Sequence, residues 1–109
     1  MAHGLYTVLF HDNMVTKRSS SRAITLNHGR IGQTADILEA SYGQHIVGRA
    51  RNGEYRYLIN GVYVEANRVT DAVDAPSEIK LRGESQTGLD LLAKSLGLPE
   101  IPQNAYFKE

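Results

Sequence analysis

Two Asn-Gly pairs, Asn52-Gly53 and Asn60-Gly61, interrupt runs of alternating polarity between residues 45 and 66, and no other stretch restricts the fold so tightly. Asn and Gly accept the positive φ angles that a two-residue hairpin loop demands, so each pair reads as a hairpin tip. Counting outward from two-residue loops sets Arg51 across from Glu54, Arg49 across from Arg56 and Val47 across from Leu58. Past the second tip, Ile59 meets Val62, Leu58 meets Tyr63, Tyr57 meets Val64 and Arg56 meets Glu65. In that register one face carries Ile46, Gly48, Ala50, Tyr55, Tyr57, Ile59, Val62, Val64 and Ala66, with no charge among them. A slip of one residue would scatter that set over both faces. A three-stranded antiparallel meander is the expectation.

The flanking segments extend the same sheet. Residues 5–10, rich in β-branched and aromatic side chains, read as a strand buried on both faces, and His11-Asp12-Asn13 supplies turn formers. Residues 23–26 make a short second strand that Asn27-His28-Gly29-Arg30 breaks, and residues 78–82 a further one with Ile79 and Leu81 inward and Gly83 at its end. Thr34 can cap a short helix over 35–42, with Ile37, Leu38 and Tyr42 on one side and Gly43 as a left-handed stop. A better-marked helix begins at the capping box Thr87 to Asp90, runs an apolar stripe through Leu89, Leu92 and Leu96, and stops at Gly97-Leu98-Pro99. The fold class expected is α+β, an antiparallel sheet of the meander plus two or three more strands covered by one or two short helices. At 109 residues the chain makes one domain, placed at 1–98, with 99–109 an extended tail whose Pro99 and Pro102 rule out a long regular element.

Function classes narrow by exclusion. The chain has no cysteine, which removes disulfides, thiolate metal sites and cysteine nucleophiles and fits a cytoplasmic protein. The apolar run at 5–10 is too short for a signal peptide, and no stretch approaches a membrane span. The four histidines have no helical metal-ligand spacing, and the carboxylates form no paired motif. A small acid–base or metal site from His11, Asp12 and His28 is the one catalytic arrangement worth weighing, and loop histidines more often carry no such role. Gln33 to Gly53 lies roughly where a helix-turn-helix would, but its second helix would have to swallow Gly48 and Asn52-Gly53, which a hairpin explains better. No enzyme, metal or cofactor is expected.

What stands out is cation. The register opposes Arg49 to Arg56 with Arg51 on the same face, and like charges placed directly opposite are unfavourable unless something neutralises them. A phosphate taking bidentate guanidinium contacts would do so; so would Glu54 and Glu65 at the ends of the row, leaving an ordinary solvated face. Beside it runs an apolar row of Val47, Leu58 and Tyr63, which suits a base-plus-phosphate ligand, a subunit interface, or coverage by the Leu89 helix. The basic run Lys17-Arg18-Ser19-Ser20-Ser21-Arg22 can grip phosphate through charge and hydroxyls, and Gly29 and Gly32 near Arg30 sit like a phosphate loop without the spacing of any known fingerprint.

Two functions are therefore expected. The first is a non-enzymatic protein binding a nucleotide or nucleic acid through Arg49, Arg51, Arg56, Tyr63, Lys17, Arg18, Arg22 and Arg30. The alternative is a protein–protein interaction or inhibitor module, of the kind phage or plasmid accessory proteins use to block a host factor, with Tyr106 and Phe107 of the tail contributing. A homo-oligomer pairing the edges at 5–10 or 62–66 suits either. Net charge is zero, yet residues 1–56 hold seven Lys and Arg against four Asp and Glu, and the remainder five against eight. Balance in composition conceals asymmetry along the chain, which argues against a nonspecific polyanion binder but not against a specific one.

Overall fold

A computed structural model describes residues 4–17, 22–49, 55–67 and 76–108, apart from the side chains of Val15 and His28. The fold is α+β. Strand β1 spans Tyr6–His11, and Asp12 then caps the single turn α1, Asn13–Thr16, by accepting a bond from the Met14 amide at 3.0 Å. Lys17 ends that turn at φ 54°. The chain returns as β2, Ile24–Thr25, which lies parallel to β1 with Phe10 beside Ile24 and His11 beside Thr25. The sheet is thus mixed rather than wholly antiparallel.

Helix α2 is where sequence and structure differ most. It runs over His28–Tyr42, starting seven residues before the expected 35, because Asn27 caps it: the Asn27 side chain accepts from the Arg30 amide at 2.8 Å. Residues 27–30 open a helix instead of forming a break, and Gly29 and Gly32 sit within it, each at a cost of about 1 kcal/mol relative to alanine. Burial of Ile31 and Leu38, worth about 1.5–3 kcal/mol each, offsets that cost. Thr34 is an interior residue, not a cap; its hydroxyl donates to the Leu96 carbonyl at 3.3 Å, as a buried hydroxyl must find a partner. Nor is Gly43 left-handed. With φ −55° and ψ −34° it continues into a 3-10 turn, Gly43–His45.

The meander follows as β3, Ile46–Arg49, β4, Tyr55–Ile59, and β5, Val62–Asn67. Across the second tip every expected pair is present, and Asn60 and Gly61 take φ 49° and 80°, as a two-residue primed turn requires. Across the first tip the register differs: Ile46 pairs with Tyr57, Gly48 with Arg56 and Arg49 with Tyr55, with an irregularity at Val47. One extra residue in β3 forms a bulge, and every side chain beyond it changes face. Gly48 therefore lies opposite Arg56 rather than Tyr57. Asn52-Gly53 and Glu54 lie outside the described residues.

Strand β6, Glu78–Gly83, pairs along the full lengths of β1 and most of β5. Helix α3, Gln86–Ser95, is capped by Ser85, whose hydroxyl accepts from the Gly88 amide at 3.0 Å; Thr87, the expected cap, lies inside. Its stripe is as read, with Leu89, Leu92 and Leu96 buried. Gly97, at φ 73°, closes the helix while its amide bonds Lys94 and that of Leu98 bonds Ala93, which satisfies two terminal carbonyls. Residues 99–108 are not an extended tail. Ile101 and Ala105 are buried, and β7, Phe107–Lys108, pairs with Tyr6 and Thr7.

The resulting order is β2-β1-β6-β5-β4-β3, with β7 on β1. Since β6 takes one whole side of β1, β2 and β7 share the other, two residues each. Both strands expected to offer an edge for self-association, β1 and β5, are interior. Helices α2 and α3 cover one face, closing a core with Val8, Phe10, Tyr57, Ile59, Val64 and Leu81 at its floor.

Candidate functional site: the open sheet face

The opposite face carries the side chains of alternate residues, and two cross-strand rows define it. One runs Arg56, Glu65, Lys80; the other Leu58, Tyr63, Arg82. The Leu89 helix packs on the other side, so it leaves the apolar row in solvent: Val47 is 59% exposed, Leu58 37% and Tyr63 46%. These are three of the five large apolar side chains that the described residues expose. The other two, Met14 and Leu91, stand apart from them on α1 and α3. Beside this row lies a cavity of about 310 Å³, lined by Leu5, Val47, Gly48, Arg56, Tyr63, Val64, Glu65 and Arg82.

Charge on the face is ordered by Glu65. Its carboxylate Oε1 lies 3.9 Å from Arg56 Nε and 3.7 Å from Arg82 Nη1, and its side chain is 16% exposed against 60% and 33% for the two arginines. Of the two sources of neutralisation foreseen for Arg56, the glutamate is present.

Among the described residues the expected cationic patch does not assemble. The bulge turns Arg49 to the helix-covered side, where its guanidinium lies 5.5 Å above the Tyr55 ring rather than across from Arg56. Nearby, the phenol of buried Tyr57 is held above its ordinary pKa by burial first, then by the charges of Glu39 and Tyr55, with Arg49 pulling the other way. Arg30 is spent on architecture: Nε and Nη2 donate to the Gly97 carbonyl at 3.2 and 2.8 Å, tying the start of α2 to the end of α3. Lys17 ends α1, and Arg22, just before β2, lies 5.7 Å from the centre of the Phe107 ring. Between β2 and β3 are five strand spacings, about 24 Å, so Arg22, just before β2, and Arg49 on β3 sit toward opposite ends of the sheet. Arg18 and Arg51 lie outside the described residues. Among the described candidates, Arg56 and Tyr63 are the two that line the cavity.

Leu5, Glu65 and Arg82 join them. Glu65 was foreseen as a neutraliser, but Leu5 and Arg82 were missed, because their place depends on β1 and β6 lying beside β5. The alternation of Lys80 and Arg82 with Ile79 and Leu81 was the signal available.

His11 belongs to another environment. It is buried, with Nδ1 3.1 Å from the Thr16 hydroxyl and Nε2 3.3 Å from that of Thr25. Both ring nitrogens are thereby engaged, which pins β1 to α1 and β2. The His28 side chain lies outside the described residues, and among the described residues no group of three His, Cys, Asp or Glu converges as a metal site would require. Among the described residues no helix is long and apolar enough to cross a membrane. Comparison with protein-family models, curated proteins and solved structures finds no match to this chain.

Proposed function

We propose that this chain is a non-enzymatic, cytoplasmic binding protein that docks a protein partner on its open sheet face and acts by occupying that partner's surface. The observation that carries the reading is the exposure of Val47, Leu58 and Tyr63 on the side the helices leave bare, with Val47 and Tyr63 lining a cavity there and Leu58 paired with Tyr63. Contiguous exposed apolar area rimmed by charge is what interaction sites look like. The edges favour a face-on mode as well. β3 carries a bulge, and the far edge is divided between two strands of two residues, both of which discourage strand addition. Against a phosphate-bearing ligand stands Glu65, which places an anion between the two arginines of the face. The engagement of both His11 nitrogens supports a role without acid–base chemistry.

The test is capture from extracts of the source cells on immobilised protein, comparing wild type with Leu58→Glu, Tyr63→Glu and the α3 control Leu91→Glu. A protein retained by wild type and by Leu91→Glu but lost with both face variants supports the proposal. Retention that nuclease abolishes, or that the face variants leave intact, refutes it.

A further inference from the structure

A second site lies where α3 meets the chain that returns from it, and it is independent of the docking reading above. We propose that the seam between α3 and residues 98–101 binds a small apolar zwitterion with the size and charge of a free α-amino acid. Its carboxylate meets Lys94, its ammonium group meets Glu100 and Asp90, and its side chain rests on the floor between them.

The seam follows from how α3 ends. Gly97 turns the chain back at φ 73°, and Leu98 and Ile101, 7% and 8% exposed, return it to the core beside Ala93. Two side-chain bonds tie the returning segment to the helix and the residue that starts it: the Gln103 amide donates to the Gln86 oxygen at 3.2 Å, and the Tyr106 hydroxyl donates to the Asp90 carboxylate. Between helix and segment lies a cavity of about 400 Å³. Ala93, Leu98 and Ile101 bound it from the core side, partly exposed Pro99 supplies a wall, and Asp90, Lys94 and Glu100 stand at its rim. That volume, with an apolar lining and a few polar groups, is what small-molecule sites have. Because the floor is made of packed core residues, the cavity is preformed and an occupant need not order it.

Charge selects the occupant. Asp90 and Lys94 stand one turn apart on α3, a spacing at which opposite charges ordinarily pair, yet Asp90 is taken by Tyr106. Lys94 and Glu100 make no side-chain ion pair or hydrogen bond among the described residues. One cation and two anions around a small apolar volume match a molecule that carries an ammonium group and a carboxylate on one carbon, since each ligand charge then meets its opposite. A fatty acid would set its carboxylate among Asp90 and Glu100, and a phosphate would do so with more charge. A bare amine would leave Lys94 facing a second cation.

The test is titration of the isotope-labelled full chain with leucine and with phenylalanine, followed by amide NMR. N-acetylleucine, which lacks the ammonium group, and leucinamide, which lacks the carboxylate, are titrated alongside. The expected result is saturable millimolar binding that shifts the amides of residues 90–101, with both derivatives weaker by about fivefold, the upper end for a partly exposed charge pair. Lys94→Gln should weaken leucine by the same factor and leave leucinamide unchanged; Glu100→Gln should weaken leucine and leave N-acetylleucine unchanged. The derivatives need no variant, so the charge assignment is tested even if a substitution disturbs the fold. Derivatives that bind wild type as well as leucine does, or variants that bind leucine as wild type does, overturn the charge assignment. No saturable shift at tens of millimolar, or shifts confined to Leu58, Tyr63 and their neighbours, overturns the site.

Discussion

Replacing Arg30 by methionine keeps the aliphatic stem but removes the fork that grips the Gly97 carbonyl, and the loss can be worked from the geometry. Nη2 at 2.8 Å and Nε at 3.2 Å both donate to one oxygen just beyond the last turn of α3. A hydrogen bond to a charged group contributes about 1.5–3 kcal/mol. Here the pair shares an acceptor and the side chain is half-exposed, so the lower figure, about 1.5 kcal/mol, applies to the two together. With an unfolding entropy of about 2.1 cal/mol/K per residue, that lowers Tm by about 7 °C. In urea, with a slope of about 1.5 kcal/mol/M, the midpoint falls by about 1 M at unchanged slope. Lysine at the same position keeps the charge but not the planar fork, and should recover about half of the loss. Chemical denaturation followed by circular dichroism reads all three proteins. A methionine variant within about 0.3 kcal/mol of wild type would show that Arg30 does not tie α2 to α3, and would return it to the pool of cations available to a ligand.

Other perturbations test other parts of the structure. His11→Leu forfeits two hydroxyl contacts at about 1 kcal/mol each, and pairing it with Thr25→Val in a double-mutant cycle should yield a non-zero coupling energy; strict additivity would mean the contact is idle. Tyr57 should ionise above the ordinary tyrosine range when absorbance near 295 nm is followed upward in pH, and Tyr57→Phe should remove that late component. Because its folded pKa is raised, the stabilisation it provides is complete below the ordinary tyrosine value near 10 and is lost as pH climbs from there toward the folded value. Glu39→Gln should move its titration down, and Arg49→Gln up; the opposite order would contradict the packing at this corner. Deleting residues 99–109 should cost about 4 kcal/mol through loss of buried Ile101 and Ala105 and of β7, whereas a melting temperature matching wild type would mean the segment is not part of the domain.

Local chemistry determined a good deal. Asn60-Gly61 carries its backbone conformation within two residues, and the alternation on either side needs no distant partner, so β4, β5 and their register were legible. The Leu89, Leu92 and Leu96 stripe and the Gly97 stop are local in the same sense. Caps were less so, because Asn27 and Thr34, like Ser85 and Thr87, are all competent caps, and the choice falls to whichever helix length buries more: Ile31 must reach the core, and Thr34 finds the Leu96 carbonyl only from inside the helix.

The candidate site was legible in its residues but not in its arrangement. Val47, Leu58, Tyr63, Arg56 and Glu65 were all placed on one face, and that part needed only the parity of strands. The arginine row failed at Val47, where one bulged residue, favoured by an open strand edge, carried Arg49 across the sheet. The other cations left the patch for reasons no local pattern encodes: Arg30 is tied to the Gly97 carbonyl at the end of α3, and strand order separates Arg22, before β2, from Arg49 on β3 by the whole width of the sheet. The sequence by itself determined turns, alternation and the composition of each face, because those depend on neighbours along the chain. Only the tertiary structure decided which face the helices cover, which strands are edges and which cations meet, because those are set by burying one contiguous core among segments far apart in sequence.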